Sequence, residues 1–381
     1  MPEKKYLFTP GPTPVPPQVL AALAEPVLHH RGADFRVIYE RCLGRLQDVY
    51  RTRGDVLLFT ASGTAAMESV VANLCPGARS LIVSAGAFGE RWEKIAAVHG
   101  AEIEPMRYEW GETPRADEVA SRLAELGGAD VVFLTQSETS TGVVADVQAL
   151  AAAAKEHGAV VAVDAISSLG AVPLEMDAWG LDAVASGSQK ALMTPPGLAM
   201  CAVSERAVAA AKPAHSFYLD WERTRAAQAK LDAPFTPATS LIVALDVALG
   251  LILGEGLEAA FDRHVRLGRA CRAGVKAMGL ELFSPDEDRS AVVTAIRAPD
   301  AIDSSDVVAG VRNHFGMTIA NGQGHLKGKI FRLGHIGWFD IFDITAALAA
   351  VELVLAELGA DVERGAAVTA ALEAFEHESV S

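Results

Sequence analysis

Two stretches decide the fold: Val160-Val161-Ala162-Val163-Asp164-Ala165-Ile166-Ser167-Ser168 and Asp182-Ala183-Val184-Ala185-Ser186-Gly187-Ser188-Gln189-Lys190. Each opens on a short apolar run and leads into small residues beside an ionisable group. A run of this length that is apolar at successive positions reads as a strand covered on both faces. Working outward, the same kind of run recurs at 56–59, 80–83 and 131–134. Between the runs lie segments of helical composition at 65–74, 91–99, 117–126 and 147–157. Strands alternating with helices imply an α/β fold whose central sheet is mostly parallel and sandwiched by helices. In such sheets ligands gather beyond the carboxyl ends of the strands. The residues that follow each run are therefore the candidates for chemistry.

Lys190 lies just past a strand, among small residues that let a planar molecule approach the backbone. A lysine there is either a solvated surface charge or, if its surroundings hold the amine unprotonated, a Schiff-base former. Asp164 ends an apolar strand, where burial is costly without a partner. It is either a helix cap or the partner of a cationic ring nitrogen. Thr60-Ala61-Ser62-Gly63-Thr64-Ala65-Ala66 is a small turn opening a helix, suited to ordinary capping or to a phosphate held by free amides. It lacks both the G-x-G-x-x-G dinucleotide pattern and a Gly-Lys-Ser/Thr ending. Phe88, in Ser84-Ala85-Gly86-Ala87-Phe88-Gly89-Glu90-Arg91, either packs in the core or stacks on a planar ring. Thr135-Gln136-Ser137-Glu138-Thr139-Ser140-Thr141-Gly142 is either an ordinary polar loop or a cluster of hydroxyls and amides that would converge on the same sheet edge.

The chain has 381 residues, enough for a large core and a second, smaller unit. Its 33 basic and 48 acidic residues give a net charge of −15, which argues against nucleic acid and anionic membranes as partners. Cys42, Cys75, Cys201 and Cys271 lack metal-ligand spacing and read as buried thiols in a reducing compartment. No apolar run reaches membrane-spanning length, and Met1-Pro2-Glu3-Lys4-Lys5 does not lead into a signal-peptide core, so the expectation is a cytoplasmic protein. The proline-rich opening predicts an extended arm over 1–17, packed as a strap or set at a subunit interface. A large domain is expected over 18–255 and a small one over 256–381. The large domain includes a solvated or anion-binding turn at His29-His30-Arg31-Gly32, an irregular stretch at 213–237 and an apolar helix at 241–253. The small one has helices at 257–278 and 304–315 and strands at 291–297 and 330–333. Ala320-Asn321-Gly322-Gln323-Gly324 is expected as a loop able to fold over a substrate. Lys327, Lys329 and His335 are expected as local positive charge. The segment 363–381 is helical in composition and carries no functional reading. No internal repeat or low-complexity tract is present.

Taken together, the Ser-Gly-Thr turn, Phe88, Asp164 and Lys190 stand in the order found in pyridoxal-phosphate enzymes of fold type I. The stretch Ser186-Gly187-Ser188-Gln189-Lys190-Ala191-Leu192 with Pro195-Pro196-Gly197 resembles the lysine motif of class V aminotransferases, in the alanine–glyoxylate and serine–pyruvate branch. Thr9-Pro10-Gly11-Pro12-Thr13, Glu138-Thr139-Ser140-Thr141-Gly142, Val163-Asp164-Ala165-Ile166-Ser167-Ser168-Leu169-Gly170 and Phe331-Arg332-Leu333-Gly334 are similar to that family's other motifs. The resemblance runs from Tyr6 to about Leu358. It implies pyridoxal 5′-phosphate as cofactor, held as a Schiff base by Lys190, which also shuttles the substrate α-proton. It implies that Asp164 pairs with the ring nitrogen, Phe88 stacks on the ring where Trp is the usual residue, and Thr139 bonds the 3-oxygen side where Ser is usual. Ser62, Gly63, Thr64 and Gln189 would hold the phosphate, joined by Thr236 from the neighbouring subunit of a homodimer. Ala233 stands where some members use Tyr for the same phosphate. Arg332 would grip the substrate α-carboxylate, with Gly11 and Arg31 as further substrate-site residues.

The implied reaction is ping-pong transamination from alanine or serine to glyoxylate or pyruvate. Alternatives within the family are anionic substrates such as 2-aminoethylphosphonate or phosphoserine, which need a second cation such as Arg31, and ureidoglycine–glyoxylate transfer. A cysteine-desulfurase chemistry needs a thiol ahead of Arg332, and no cysteine lies between Cys271 and Arg332. A nicotinamide dehydrogenase lacks its glycine fingerprint here, and a non-catalytic regulator would need a damaged site or a DNA-binding appendage, neither of which is visible.

Overall fold

The computed structural model describes residues 5–213, 215–284 and 290–376. Its centre is a seven-stranded sheet in the order Asp55–Phe59, Ala199–Val203, Ala183–Gly187, Val160–Asp164, Val131–Thr135, Arg79–Ser84, Glu102–Arg107. All strands run parallel except Ala199–Val203, which is antiparallel to both neighbours. Two of the seven were absent from the sequence reading. Glu102–Arg107 carries charges and Pro105 because it is an edge strand, where a missing N–H costs no ladder bond. Ala199–Val203 is fully buried but has one β-branched residue, so its strand propensity is weak.

The double-sided apolar pattern has a direct cause. Leu81, Val83, Val132 and Leu134 point into one core with Phe35, Tyr39, Leu46, Val119 and Leu150. Ile82, Val131 and Phe133 point into the other with Met67, Val70, Trp92 and Trp221. Helices Ala33–Tyr50, Ala116–Leu126, Val147–Glu156 and Thr239–Glu255 feed the first core, and Gly63–Leu74 and Gly89–Val98 feed the second. Within 213–237 a helix forms at Trp221–Gln228, where irregular structure was expected. Asp220 caps it by accepting the Arg223 amide at 2.9 Å, and buried Trp221 anchors it by donating to Ser69 Oγ.

Gly256, at φ +91°, separates helix Thr239–Glu255 from helix Leu257–Ala277, and the two are bent by 86°. Beyond it a three-stranded antiparallel sheet sets Ile330–Gly334 between Val293–Arg297 and Ala320–Asn321. Helices Ser304–Phe315, Ile341–Glu357 and Ala366–Glu376 complete a core around Phe331, Leu348, Val351 and Leu355. The last of these packs on Leu257–Ala277, and the end of the expected C-terminal segment lies outside the described residues. The expected loop at 320–324 begins as a strand instead, with Ala320 paired to Arg332. His335 is not surface charge. It is fully buried, bonded to Thr294 Oγ1 at 3.0 Å, and held neutral with its pKa pushed down to about 3, chiefly by burial. Lys327 and Lys329 are exposed.

The N-terminal arm crosses from one unit to the other. Tyr6–Leu7 pairs in parallel with Met317–Thr318, and Gly334 N donates to Phe8 O at 2.8 Å. Thr13 then bonds Lys190 O through its hydroxyl and Gln189 O through its amide. Among the described residues no single helix is long and apolar enough to cross a membrane, and no group of three or more His, Cys, Asp or Glu is placed to hold a metal. All four cysteines are buried and free.

Candidate active site

The carboxyl ends of three neighbouring strands carry the site. Val131–Thr135 leads into the turn holding Glu138 and Thr139, Val160–Asp164 ends on Asp164, and Ala183–Gly187 leads to Lys190. Lys190 is 9% exposed, and its Nζ donates to Pro10 O at 2.7 Å. Burial pulls the amine down to about 8, with the Asp164 charge opposing and the Arg332 and Arg91 charges assisting. A Cβ at Gly11 would overlap Lys190 Cδ, Cε and Nζ, and Gly11 sits at φ +138°. A glycine is needed there on both counts.

Asp164 is buried, and the Ile166 amide at 2.8 Å is its one hydrogen-bond donor among the described residues. Burial first, and then the Glu138 charge, push its carboxyl up to about 7. A carboxyl in that state is short of a positive partner. Arg332, in the central strand of the small sheet, is also buried. Its Nε and Nη2 donate to Asn321 O at 3.1 and 2.7 Å, and Nη1 donates to Thr139 O at 2.6 Å. Burial lowers its pKa to about 10, against the raising influence of Glu138, so it remains a cation at neutral pH.

Ser62 is the N-cap of helix Gly63–Leu74, and its side chain makes no capping bond. The free helix start and the exposed hydroxyl leave donors for an anion. Gly63 lies so close to Ile166 that a Cβ would sit 2.9 Å from Ile166 Cδ1. Gln189 Oε1 is buried and has no partner among the described residues, and both it and Gly63 lie against Gly187 at the strand end. Thr64 Oγ1 accepts from Arg91 Nη1 at 3.1 Å, and the Arg91 guanidinium lies over the Phe88 ring, 4.7 Å from its centroid. These groups fit pyridoxal phosphate: an anion cradle, an aromatic plate, a buried carboxyl short of a cation and a buried amine near neutrality.

Two candidates stand apart from this chamber within one chain. Arg31 is 57% exposed and pairs with Asp232 at 3.5 Å. Thr236 is exposed and borders a depression of about 610 Å³ shared with His29, His30 and Leu241. The Ala238 amide ties this segment to Thr60 Oγ1 at 2.9 Å, just before the Ser62 turn. Sequence reasoning assigned no role to Arg91, Glu138, the Pro10 carbonyl or the Asn321 carbonyl. For Arg91 there was a signal, since Phe88 and Arg91 are three apart at a helix start and therefore neighbours. Backbone acceptors leave no trace in residue identity.

The aminotransferase class-V family model matches residues 5–331. The soluble hydrogenase 42 kDa subunit of Anabaena cylindrica is 42% identical over 98% of this chain and 100% of its own length. The L-aspartate–glyoxylate aminotransferase of Paracoccus denitrificans is 34% identical over 98% of this chain and 97% of its own. The serine–glyoxylate aminotransferase of Methylorubrum extorquens is 32% identical over 97% and 96%. Among solved structures, the ureidoglycine–glyoxylate aminotransferase of Bacillus subtilis superposes with a TM-score of 0.94 at 31% identity, covering 99% of both chains. The chain belongs to the aminotransferase class-V family, as an enzyme of fold type I with pyridoxal phosphate as its cofactor.

Proposed function

We infer that this enzyme moves the amino group of a small amino acid, alanine or serine, to glyoxylate or pyruvate, in a cytoplasmic homodimer whose sites are shared between subunits. Bound pyridoxal phosphate supplies an aldehyde that condenses with amines and a ring that takes up electron density. Asp164 would pair with the ring nitrogen and keep it protonated. Lys190 Nζ would take the α-proton of the donor and deliver it to the cofactor carbon that bears the amino nitrogen, with the Pro10 carbonyl orienting the amine. Arg332 would hold the α-carboxylate with its planar fork. Gly11 leaves room for the lysine, Phe88 would cover the ring and Thr139 would bond its oxygen side. Ser62, Gly63, Thr64 and Gln189 would hold the phosphate, with Thr236 of the other subunit.

One observation carries the reading. Lys190, Asp164 and Arg332 are all buried, and the Lys190 amine senses the charges of both others, while Arg31 is engaged by Asp232 at the surface. A small donor needs one carboxylate grip, and Arg332 provides it. Glyoxylate as acceptor is supported by the aspartate, serine and ureidoglycine relatives, whose names share it. An anionic donor would need Arg31 to leave Asp232 and face the neighbouring subunit's site.

The test is the absorption spectrum of the purified protein with single amino acids and no acceptor. Loss of the visible cofactor band with alanine or serine is the expected result. A band that ignores both, yet responds to aspartate, phosphoserine or 2-aminoethylphosphonate, would overturn the small-donor assignment. Initial-rate lines for donor and acceptor should run parallel.

A further inference from the structure

Phe88 is the N-cap residue of helix Gly89–Val98, and a phenylalanine side chain cannot cap. The cap comes from elsewhere in the chain. Glu138 Oε2 accepts the amides of Phe88 at 3.0 Å and Gly89 at 2.9 Å. Glu138 Oε1 accepts the amide and hydroxyl of Ser140 at 3.2 and 2.5 Å. Ser140 Oγ in turn accepts the Ala87 amide at 3.1 Å. Three successive backbone amides, Ala87 to Gly89, are thus gathered by one carboxylate, directly or through Ser140. Gly86 makes the approach possible, because a Cβ there would sit 2.5 Å from Glu138 Cγ and Cδ.

Glu138 is 3% exposed, and burial pushes its carboxyl up. Three of the four direct contacts come from backbone amides, which can only donate, and the fourth comes from the Ser140 hydroxyl, which can donate to a carboxylate or accept from a protonated carboxyl. A buried anion at a helix start is favourable because the helix dipole and free amides face it. The same turn presents Thr139 O to Arg332 Nη1. One turn of chain therefore fixes the aromatic plate on one side and the carboxylate-gripping arginine on the other.

We propose that Glu138 is a positioning residue: a buried carboxyl whose bonds to the Phe88 and Gly89 amides seat Phe88 over the cofactor ring and set the ring's tilt. The proposal rests on the cofactor assignment above. A cap of purely structural value would contribute stability and nothing else. A positioning role reaches the geometry of the bound ring, which is read in the visible circular dichroism per mole of bound cofactor.

The experiment compares wild type and Glu138→Gln for pyridoxal phosphate affinity, visible circular dichroism at saturation and thermal midpoint. Whichever way the amide is turned, its NH₂ faces at least one backbone N–H, so one side of the nest must open. Affinity should fall by about tenfold or more, and the visible dichroism of the saturated variant should change in intensity. A lower thermal midpoint with unchanged affinity and dichroism would mean a cap only and overturn the proposal. If Glu138→Gln does not fold, Ser140→Ala removes the hydroxyl that links Glu138 to the Ala87 amide and keeps the carboxyl. It should weaken affinity by about threefold and alter the dichroism in the same direction, and an unchanged Ser140→Ala overturns the proposal. A wild-type protein that takes up no pyridoxal phosphate would instead overturn the cofactor assignment, whatever the variants do.

Discussion

Arg332→Lys is the perturbation whose size the structure sets most directly. A guanidinium has five N–H groups. Three are spent on main-chain carbonyls, two on Asn321 O and one on Thr139 O. Among the described residues two remain unpaired, one on each terminal nitrogen, the number a carboxylate can take side by side. A lysine ammonium is a single point with three N–H groups. It cannot reach both carbonyls and still offer two parallel bonds to a substrate. The net loss is one charge-assisted hydrogen bond, about 1.5–3 kcal/mol, or roughly 10- to 150-fold in kcat/KM. The assay is single-turnover loss of the visible band with serine and, in parallel, with ethanolamine, which is serine without its carboxylate. Wild type should prefer serine strongly. In Arg332→Lys that preference should collapse while the slow ethanolamine rate persists. A variant that keeps the wild-type serine preference would refute the carboxylate-gripping role, and an equal loss on both amines would show damage to the chamber instead.

Asp164→Asn removes the one charge that raises the Lys190 amine, so the midpoint for pyridoxal phosphate capture, near pH 8 in wild type, should move down. Stopped-flow uptake against pH checks this, and an unchanged midpoint would show that the two groups are not coupled. Gly11→Ala should slow cofactor capture by about tenfold or more, because the new Cβ overlaps the lysine and the backbone is at φ +138°. Equal capture rates would mean that the arm yields. His264 bonds Ala260 O and accepts the Gly337 amide at 2.9 Å, and burial holds it at about 3. His264→Leu leaves that amide unpaired and should cost about 1–3 kcal/mol in urea unfolding at pH 7. The sign of its pH dependence follows. The unfolded imidazole binds a proton below its ordinary 6.5 and the folded one does not until about 3. Wild-type stability should therefore fall with acidification below about pH 6.5, and the leucine variant should lose part of that slope. A slope unchanged by the substitution would place the titration elsewhere.

The elements that local pattern describes well were legible in the sequence. Strand and helix alternate from 55 to 187 within a residue or two of where the apolar runs put them. Asp164 and Lys190 stand at strand ends because chain order alone puts them after apolar runs. Harder to see were elements whose stability comes from their neighbours. Edge strand Glu102–Arg107 looks polar because one side lacks a strand partner, and Ala199–Val203 is held by two antiparallel neighbours rather than by its own propensity. His335 was misread because it was grouped with Lys329, an exposed lysine six residues earlier, and a histidine by itself carries no local mark of burial.

The sequence by itself determined which residues could do chemistry and the order in which the sheet would present them. The tertiary structure decided their electrical state and aim. Lys190 becomes an amine near neutrality only because the chain folds over it and brings Pro10 O from 180 residues away. Arg332 is aimed by carbonyls of Thr139 and Asn321, and Phe88 by a carboxylate 50 residues distant. Desolvation and main-chain acceptors depend on what covers a group in space, and neither is written in the identity of the residues beside it.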